Sequence, residues 1–117
     1  MTEYKKYRRG ETFGYSIIAE GKEVGVMEYK DFWDGMPYLS LVRLEENYRG
    51  KGIGSRAIKF LEEQLRAQGA KALLTSTQSN ERGQHFYRKL GFAESGCLIL
   101  ENTPFKQPME MFFIKVL

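Results

Sequence analysis

With 117 residues and an ordinary apolar fraction, the chain can bury one core and is too short to expect two. A formal charge of +3 suits a ligand with several phosphates, yet falls short of the dense basic face that nucleic acid draws, so nucleic acid is a disfavoured partner. No apolar run approaches the roughly 20 residues of a membrane span, and the polar start "MTEYKKYRRGE" lacks a secretory apolar segment, which reads as a cytoplasmic protein without membrane contact.

Cys97 is the single cysteine, which excludes an internal disulfide and a thiolate zinc site, and no metal is expected. Its simplest role is a small residue packed in a strand. No repeat, linker or low-complexity tract divides the chain, so residues 1–117 read as one domain.

The cluster Lys5, Lys6, Arg8 and Arg9 reads as a solvated strand edge or arm. "FGYSIIAEGKEVGVMEYK" follows, two short strands around Gly21-Lys22 with Ile17, Ile18, Val24 and Val26 in partial alternation. "DFWDGMPY" (residues 31–38) carries Asp, Gly and Pro and reads as a turn or loop. "YLSLVRL" gives a third strand, completing an antiparallel meander. The period then changes: Ile53, Ala57, Leu61 and Leu65 recur every four residues, the apolar stripe of a helix, which Gly69 ends.

"KALLTST" reads as a buried strand, parallel to its predecessor through a right-handed crossover. "NERGQHFYRKLGF" predicts a second helix, capped by Asn80, with Phe86, Tyr87 and Leu90 on one face and Gly91 at its end. "CLILEN" and "MEMFFIKV" are the last strands, with Pro104 and Pro108 in the loop between them. The order β-β-β-α-β-α-β-β predicts an α/β (α+β) domain whose mixed sheet is antiparallel at both ends and parallel in the middle.

The most informative stretch is "YRGKGIG", residues 48–54, at the start of the first helix. Amides at a helix start lack intrahelical partners and carry the positive end of the dipole. Glycines let a phosphate come close, and Arg49 and Lys51 add charge at the rim. A nucleotide P-loop is excluded because no Lys-Ser or Lys-Thr stands in place, and the dinucleotide fingerprint because the spacing is G-x-G-x-G. The pattern Arg/Gln-x-x-Gly-x-Gly/Ala is met by Arg49, Gly52 and Gly54. Together with "LVRLEENYRGKGIGSRAIKFLEEQL", and with Asn80, Gly83, Phe86, Tyr87, Lys89, Leu90, Gly91 and Phe92 as a second motif, the sequence resembles the GNAT superfamily of N-acetyltransferases.

That resemblance implies acetyl-CoA as cosubstrate. The loop Arg49, Gly50, Lys51, Gly52, Ile53, Gly54 and Ser55 would bind the CoA diphosphate. Val42, Arg43 and Leu44 would pair with the pantetheine arm beside a β-bulge that splays the parallel strands. Asn80 would touch that arm or fix the helix start, and Tyr87 would sit near the thioester sulfur. A phenol there can protonate the leaving thiolate, the two groups having pKa values of about 10 and about 8.5. A backbone N–H near Leu44 would serve as oxyanion donor.

The base that deprotonates the amine stays open among Glu28, Glu45, Glu46 and a water chain. His85, two residues before Tyr87, points away from that face and reads as a surface or packing residue. The resemblance also implies a strand and two helices ahead of the meander, for which the residues before Tyr15 leave no room. The acceptor wall would then come from the 31–38 loop with Phe32 and Trp33, from "ENTPFKQP" (residues 101–108), or from a second subunit; a homodimer is left open. The expected function is acetyl transfer to a primary amine of a small molecule or of a protein or peptide. The rival is a CoA-binding sensor or partner subunit without catalysis.

Overall fold

Alternating apolar residues and tight glycine turns at Gly10, Gly21 and Gly35 fold the first 44 residues into four consecutive antiparallel strands. These are β1 (Thr2–Arg9), β2 (Thr12–Ala19), β3 (Lys22–Trp33) and β4 (Met36–Leu44). A 3-10 turn (Glu46–Tyr48) leads into α1 (Ile53–Ala67), followed by β5 (Ala72–Gln78), α2 (Gly83–Lys89), β6 (Ala93–Leu98) and β7 (Glu110–Val116). The structure is a computed structural model describing residues 1–117. One seven-stranded sheet runs β1-β2-β3-β4-β5-β7-β6, antiparallel everywhere except between β4 and β5. The mixed α/β architecture with a parallel centre is therefore as expected.

Three local details are settled or changed. Of the two readings of the basic N-terminal segment, strand edge or arm, the first holds: it is a full edge strand, β1, whose Tyr4 stacks on Phe60 of α1 at 4.1 Å. That apolar anchor adds a seventh strand to the six of the expected order. Residues 31–38 are mostly strand: β3 continues through Phe32 and Trp33, and only Asp34 and Gly35, at φ 53° and 82°, make the turn. Two successive residues of positive φ suit a two-residue hairpin, which lets the aromatic flanks stay extended. The penultimate strand is Ala93–Leu98 rather than 97–102, because pairing with β7 begins at once after α2, at Ala93 opposite Ile114. This strand is an exposed edge, so Cys97 lies in a strand but is exposed rather than packed.

Both helices cover the same sheet face. The α1 stripe Ile53, Ala57, Ile58, Leu61 and Leu65 is buried against Tyr15, Ile17, Met27, Tyr29 and Leu39 of the meander and Leu73 and Phe113 of the other half. Lys115 of β7 ties the two helices together: its Nζ donates to both carboxylate oxygens of Glu62 in α1, at 2.9 and 3.1 Å, and to the Leu90 carbonyl at the end of α2, at 2.7 Å. Strand alternation sends Tyr7, Glu28, Leu41, Tyr38, Ser76 and Phe112 to the opposite face, which no helix covers.

The centre of the sheet is where the site forms. The strands β4 and β5 pair only at Tyr38 with Leu74 and Leu39 with Thr75, where the Thr75 hydroxyl also donates to the Leu39 carbonyl at 3.1 Å. Beyond this point β4 carries one extra residue, Ser40, relative to β3, since Leu41 faces Glu28 while Leu39 faces Tyr29. A bulge bends its strand away from the partner. From Ser40 onward β4 and β5 diverge, leaving a groove that runs through the sheet.

Candidate active site

The groove has two parts joined at Val42, which lines both. The outer part, about 400 Å³, is bounded by Val42, Leu44, Arg49, Gly50, Gly52, Gly54, Ser55 and Phe86. The inner part, about 340 Å³, lies between β4 and β5 and includes Ser40, Leu41, Ser76, Tyr87 and Glu110 in its lining. At the ordinary strand rise, the β4 edge from Leu44 to Ser40 spans roughly 13 Å.

The outer part is built from backbone. Gly50 and Gly52 hold φ of 74° and 80°, a left-handed conformation that strains any residue with a Cβ. These two glycines are therefore needed for the turn itself. Gly54 lies in the first turn of α1, where an added Cβ would stand 3.5 Å from Phe86 and 3.6 Å from Leu44, narrowing the groove. No side chain caps α1 and no acidic residue sits in its first turn, so the amides of Ile53, Gly54 and Ser55 remain available. Arg49, its Nε donating to the Leu44 carbonyl at 3.1 Å, holds its cation at the rim; Lys51 lies over the Tyr48 ring at 5.8 Å. Uncapped amides, dipole and two cations around an open turn fit a diphosphate.

The inner part is built from side chains. Tyr87 is 8% exposed, its ring packed against Phe86, Phe92 and Phe113. Burial pushes its phenol above the ordinary pKa, with Thr75 pulling partly the other way, so it is protonated at neutral pH. Tyr38 of β4 and Ser76 of β5 share a hydrogen bond of 2.6 Å across the start of the splay. Gly83 lets α2 lie close on β5, since a Cβ there would come within 2.8 Å of Thr77 Oγ1.

Most expected site residues lie along this groove, with four changes of place. Arg43 alternates with Val42 and Leu44 and sends its side chain to the helix-free face, so only its backbone borders the groove. Leu44 lies at the glycine-loop end, which puts the backbone of Leu41 and Val42, rather than of Leu44, beside the Tyr87 end. Asn80 is exposed and does not cap α2, which starts at Gly83 without a side-chain cap. The turn before α2 is closed instead by Glu81, whose Oε1 accepts from the Gln78 amide at 2.9 Å and from Thr77 Oγ1 at 3.4 Å. Phe32 packs on Tyr38 but does not line the groove, and Trp33 is 72% exposed. His85 is exposed, as its helix position implies.

The three carboxylates left open as bases are all poorly placed. Both oxygens of the buried Glu28 are taken by Arg9, at 2.9 Å, and one also by the Tyr7 hydroxyl, at 2.6 Å. Hydrogen bonds from Tyr7 and then Arg9 hold its carboxyl below the ordinary range, which makes it a weak base. Glu45 pairs with Lys22 at 3.3 Å, and Glu46 is exposed in the 3-10 turn. Neither lines the groove near Tyr87. Ser40, Ser76 and Glu110 do, and nothing in their local sequence marks them; only the pairing of β4 with β5 and of β5 with β7 brings them together.

The sequence model of the Acetyltransferase (GNAT) family matches residues 1–92, both motifs included. The chain belongs to this family. Among curated relatives, the L-methionine sulfoximine/L-methionine sulfone acetyltransferases of Pseudomonas aeruginosa and Pseudomonas paraeruginosa are 27% identical over 112 residues, covering 88% of this chain. The match spans 65% of those relatives' own length. Among solved structures, a Bacillus subtilis acetyltransferase in complex with CoA superposes with a TM-score of 0.88 at 12% identity, covering 100% of this chain and 99% of that one. A GNAT family acetyltransferase from Elizabethkingia anophelis with acetyl-CoA bound superposes at 0.81, with 18% identity over 92% of this chain and 78% of its own. These likenesses establish the fold. Among the titratable side chains, no group of three His, Cys, Asp or Glu is arranged to hold a metal ion, and no helix is long and apolar enough to cross a membrane.

Proposed function

We propose that the chain transfers an acetyl group from acetyl-CoA to a primary amine of a small molecule or a peptide. One observation carries this reading. The groove opened by Ser40 begins at uncapped helix amides flanked by Arg49 and Lys51 and ends at a buried, protonated phenol. Acetyl-CoA supplies an acyl thioester and an anionic diphosphate, and the groove offers each a suitable partner. The turn Arg49–Ser55 holds the diphosphate, and the unpaired edge of β4 from Leu44 to Leu41 takes the arm by main-chain hydrogen bonds.

At the inner end the amine nitrogen bonds to the acetyl carbon, the carbon–sulfur bond breaks, and Tyr87 gives its proton to the departing sulfur. A raised phenol pKa alone would hold that proton back. Yet the leaving thiolate lies against the same buried ring, and desolvation there raises its proton affinity too. The overall change is RNH3⁺ plus acetyl-CoA giving the amide, CoASH and one proton. The Val42 N–H of β4, which strand alternation turns away from β3 and toward the groove, is suited to the carbonyl oxygen as it gains charge. The Pseudomonas relatives act on an amino-acid analogue, which supports a small-molecule acceptor.

The test is acetyl transfer, followed as free CoA thiol, against amino acids, amino-acid sulfones and sulfoximines, polyamines and lysine peptides. Turnover on any of them supports the reading. Tight binding of acetyl-CoA with no transfer to any acceptor would favour a CoA-binding sensor or partner subunit instead.

A further inference from the structure

We propose that Glu110 receives the charged amine of the acceptor, which enters the groove from the helix-free face of the sheet as a primary alkylammonium ion. The proposal rests on the acetyl-transfer reading above and deepens it, since it names the missing acceptor-side residue. The groove passes through the sheet where β4 and β5 splay, so it has an opening on each face. Tyr87 and the glycine loop belong to the helix face. On β7, Phe113 is buried beneath that same face, and alternation sends Phe112 and Glu110 the other way. The contact of Phe112 with Tyr38, at 6.4 Å between ring centres, confirms the side on which they lie. Glu110 and Tyr87 thus line one cavity from opposite faces.

The state of the carboxylates then singles out Glu110. Glu81 also lines the cavity, but its carboxylate is engaged by the Gln78 amide and Thr77. Glu28 is engaged by Tyr7 and Arg9, and Glu45 by Lys22. Glu110 is half-buried, lines the cavity beside Ser76 and Thr77, and makes no side-chain hydrogen bond or ion pair within the chain, although its neighbours do. A half-buried carboxylate in a polar cavity attracts a cation. The neighbouring 101–108 loop is held against the same end by Gln107, whose Oε1 accepts from Gln78 Nε2 at 3.0 Å. Of the two segments expected to wall the acceptor, 31–38 and 101–108, the second is the one beside Glu110.

The proton balance follows. An ammonium ion has no lone pair, so one proton must leave before attack. The Glu110 carboxylate accepts that proton and passes it to water at the open face. The nitrogen then bonds to the acetyl carbon, and the proton it sheds afterwards restores the Tyr87 phenol, which has given its own to the sulfur. A neutral amine needs no first transfer, so Glu110 should matter to it far less.

The experiment compares wild type with Glu110→Gln on 2-phenylethylamine and spermidine, cations at neutral pH, and on p-anisidine, an uncharged aromatic amine. Calorimetric titration with CoA and thermal unfolding accompany each protein. The expected result is a loss of about 100-fold in kcat/KM for the two alkylammonium probes, the usual scale of a general base, with less than about threefold loss for p-anisidine. The CoA affinity and unfolding midpoint stay unchanged. Equal losses on charged and uncharged amines, or no loss on either, would overturn the role of Glu110. So would a wild type that binds CoA yet acetylates only p-anisidine or none of the three. A wild type that fails to bind CoA at all would overturn the acetyl-transfer reading first, and with it this one.

Discussion

The two ends of the groove are made of different materials. Near α1 the working groups are main-chain amides, exposed because Gly50 and Gly52 take left-handed conformations and nothing caps the helix. Near Tyr87 they are mostly side chains, drawn from β4, β5, α2 and β7, with one main-chain N–H of β4 among them. A backbone site can be written in a few consecutive residues, whereas a side-chain site is assembled by the sheet. The first should tolerate side-chain changes and fail on backbone strain; the second should do the reverse.

The largest effect is expected at the side-chain end. Tyr87→Phe should lower kcat on an amine acceptor by about 100- to 10,000-fold if the phenol protonates the thiolate, while the CoA dissociation constant stays within about twofold. Paired steady-state kinetics and calorimetry check it, and loss of CoA affinity equal to the loss of turnover would blur the two ends into one. Next comes the strut that holds both ends to the sheet. Glu62→Ala leaves the Lys115 ammonium with only the Leu90 carbonyl and should cost roughly 2 kcal/mol, less than a fully buried pair because Lys115 keeps some solvent. Urea unfolding measures it.

At the backbone end, Gly52→Ala forces a Cβ into φ 80° with Arg56 Nη1 2.9 Å away. A left-handed residue costs about 1–2 kcal/mol, so CoA should bind about tenfold more weakly with kcat at saturation little changed. The smallest effect belongs to the helix-free face. Tyr7→Phe removes one charge-assisted hydrogen bond from Glu28, worth about 1 kcal/mol at a half-buried site.

The sign of its pH dependence follows from the shifts. Glu28 lies below the ordinary carboxylate value of 4.5, so its stabilisation is present above that pH and is lost as pH falls through the lowered folded value. Tyr7, desolvated and bonded to Glu28, is pushed up to about 12, so its share holds below about pH 10 and fades as pH rises toward 12. Stability curves of wild type and Tyr7→Phe should therefore converge at both extremes. Curves that remain parallel from pH 3 to pH 7 would contradict the Tyr7–Glu28 coupling.

The same contrast explains what was legible in the sequence. The helix stripe, the glycine turn and the Tyr87 motif are local patterns, and they stand where the sequence placed them. The charges of β1 left strand edge and arm equally open, since only Tyr4 stacking on a residue far along the chain reveals its buried side. The ends of β3 and β4 were hidden by Asp and Pro, although Pro37 sits near the strand start, where a missing N–H is tolerated. Asn80 looked like a helix cap until the Glu81 carboxylate took over that turn. Ser40, Ser76 and Glu110 carried no local signal, because they meet only through strand register.

The most direct test is amide NMR of the isotope-labelled protein titrated with CoA. The largest shifts should fall on Gly50 to Ser55 and on Leu41 to Leu44, with saturation at sub-millimolar ligand and small changes along β1 and β6. Shifts scattered elsewhere, or a silent glycine turn at millimolar CoA, would contradict a diphosphate held by the first amides of α1.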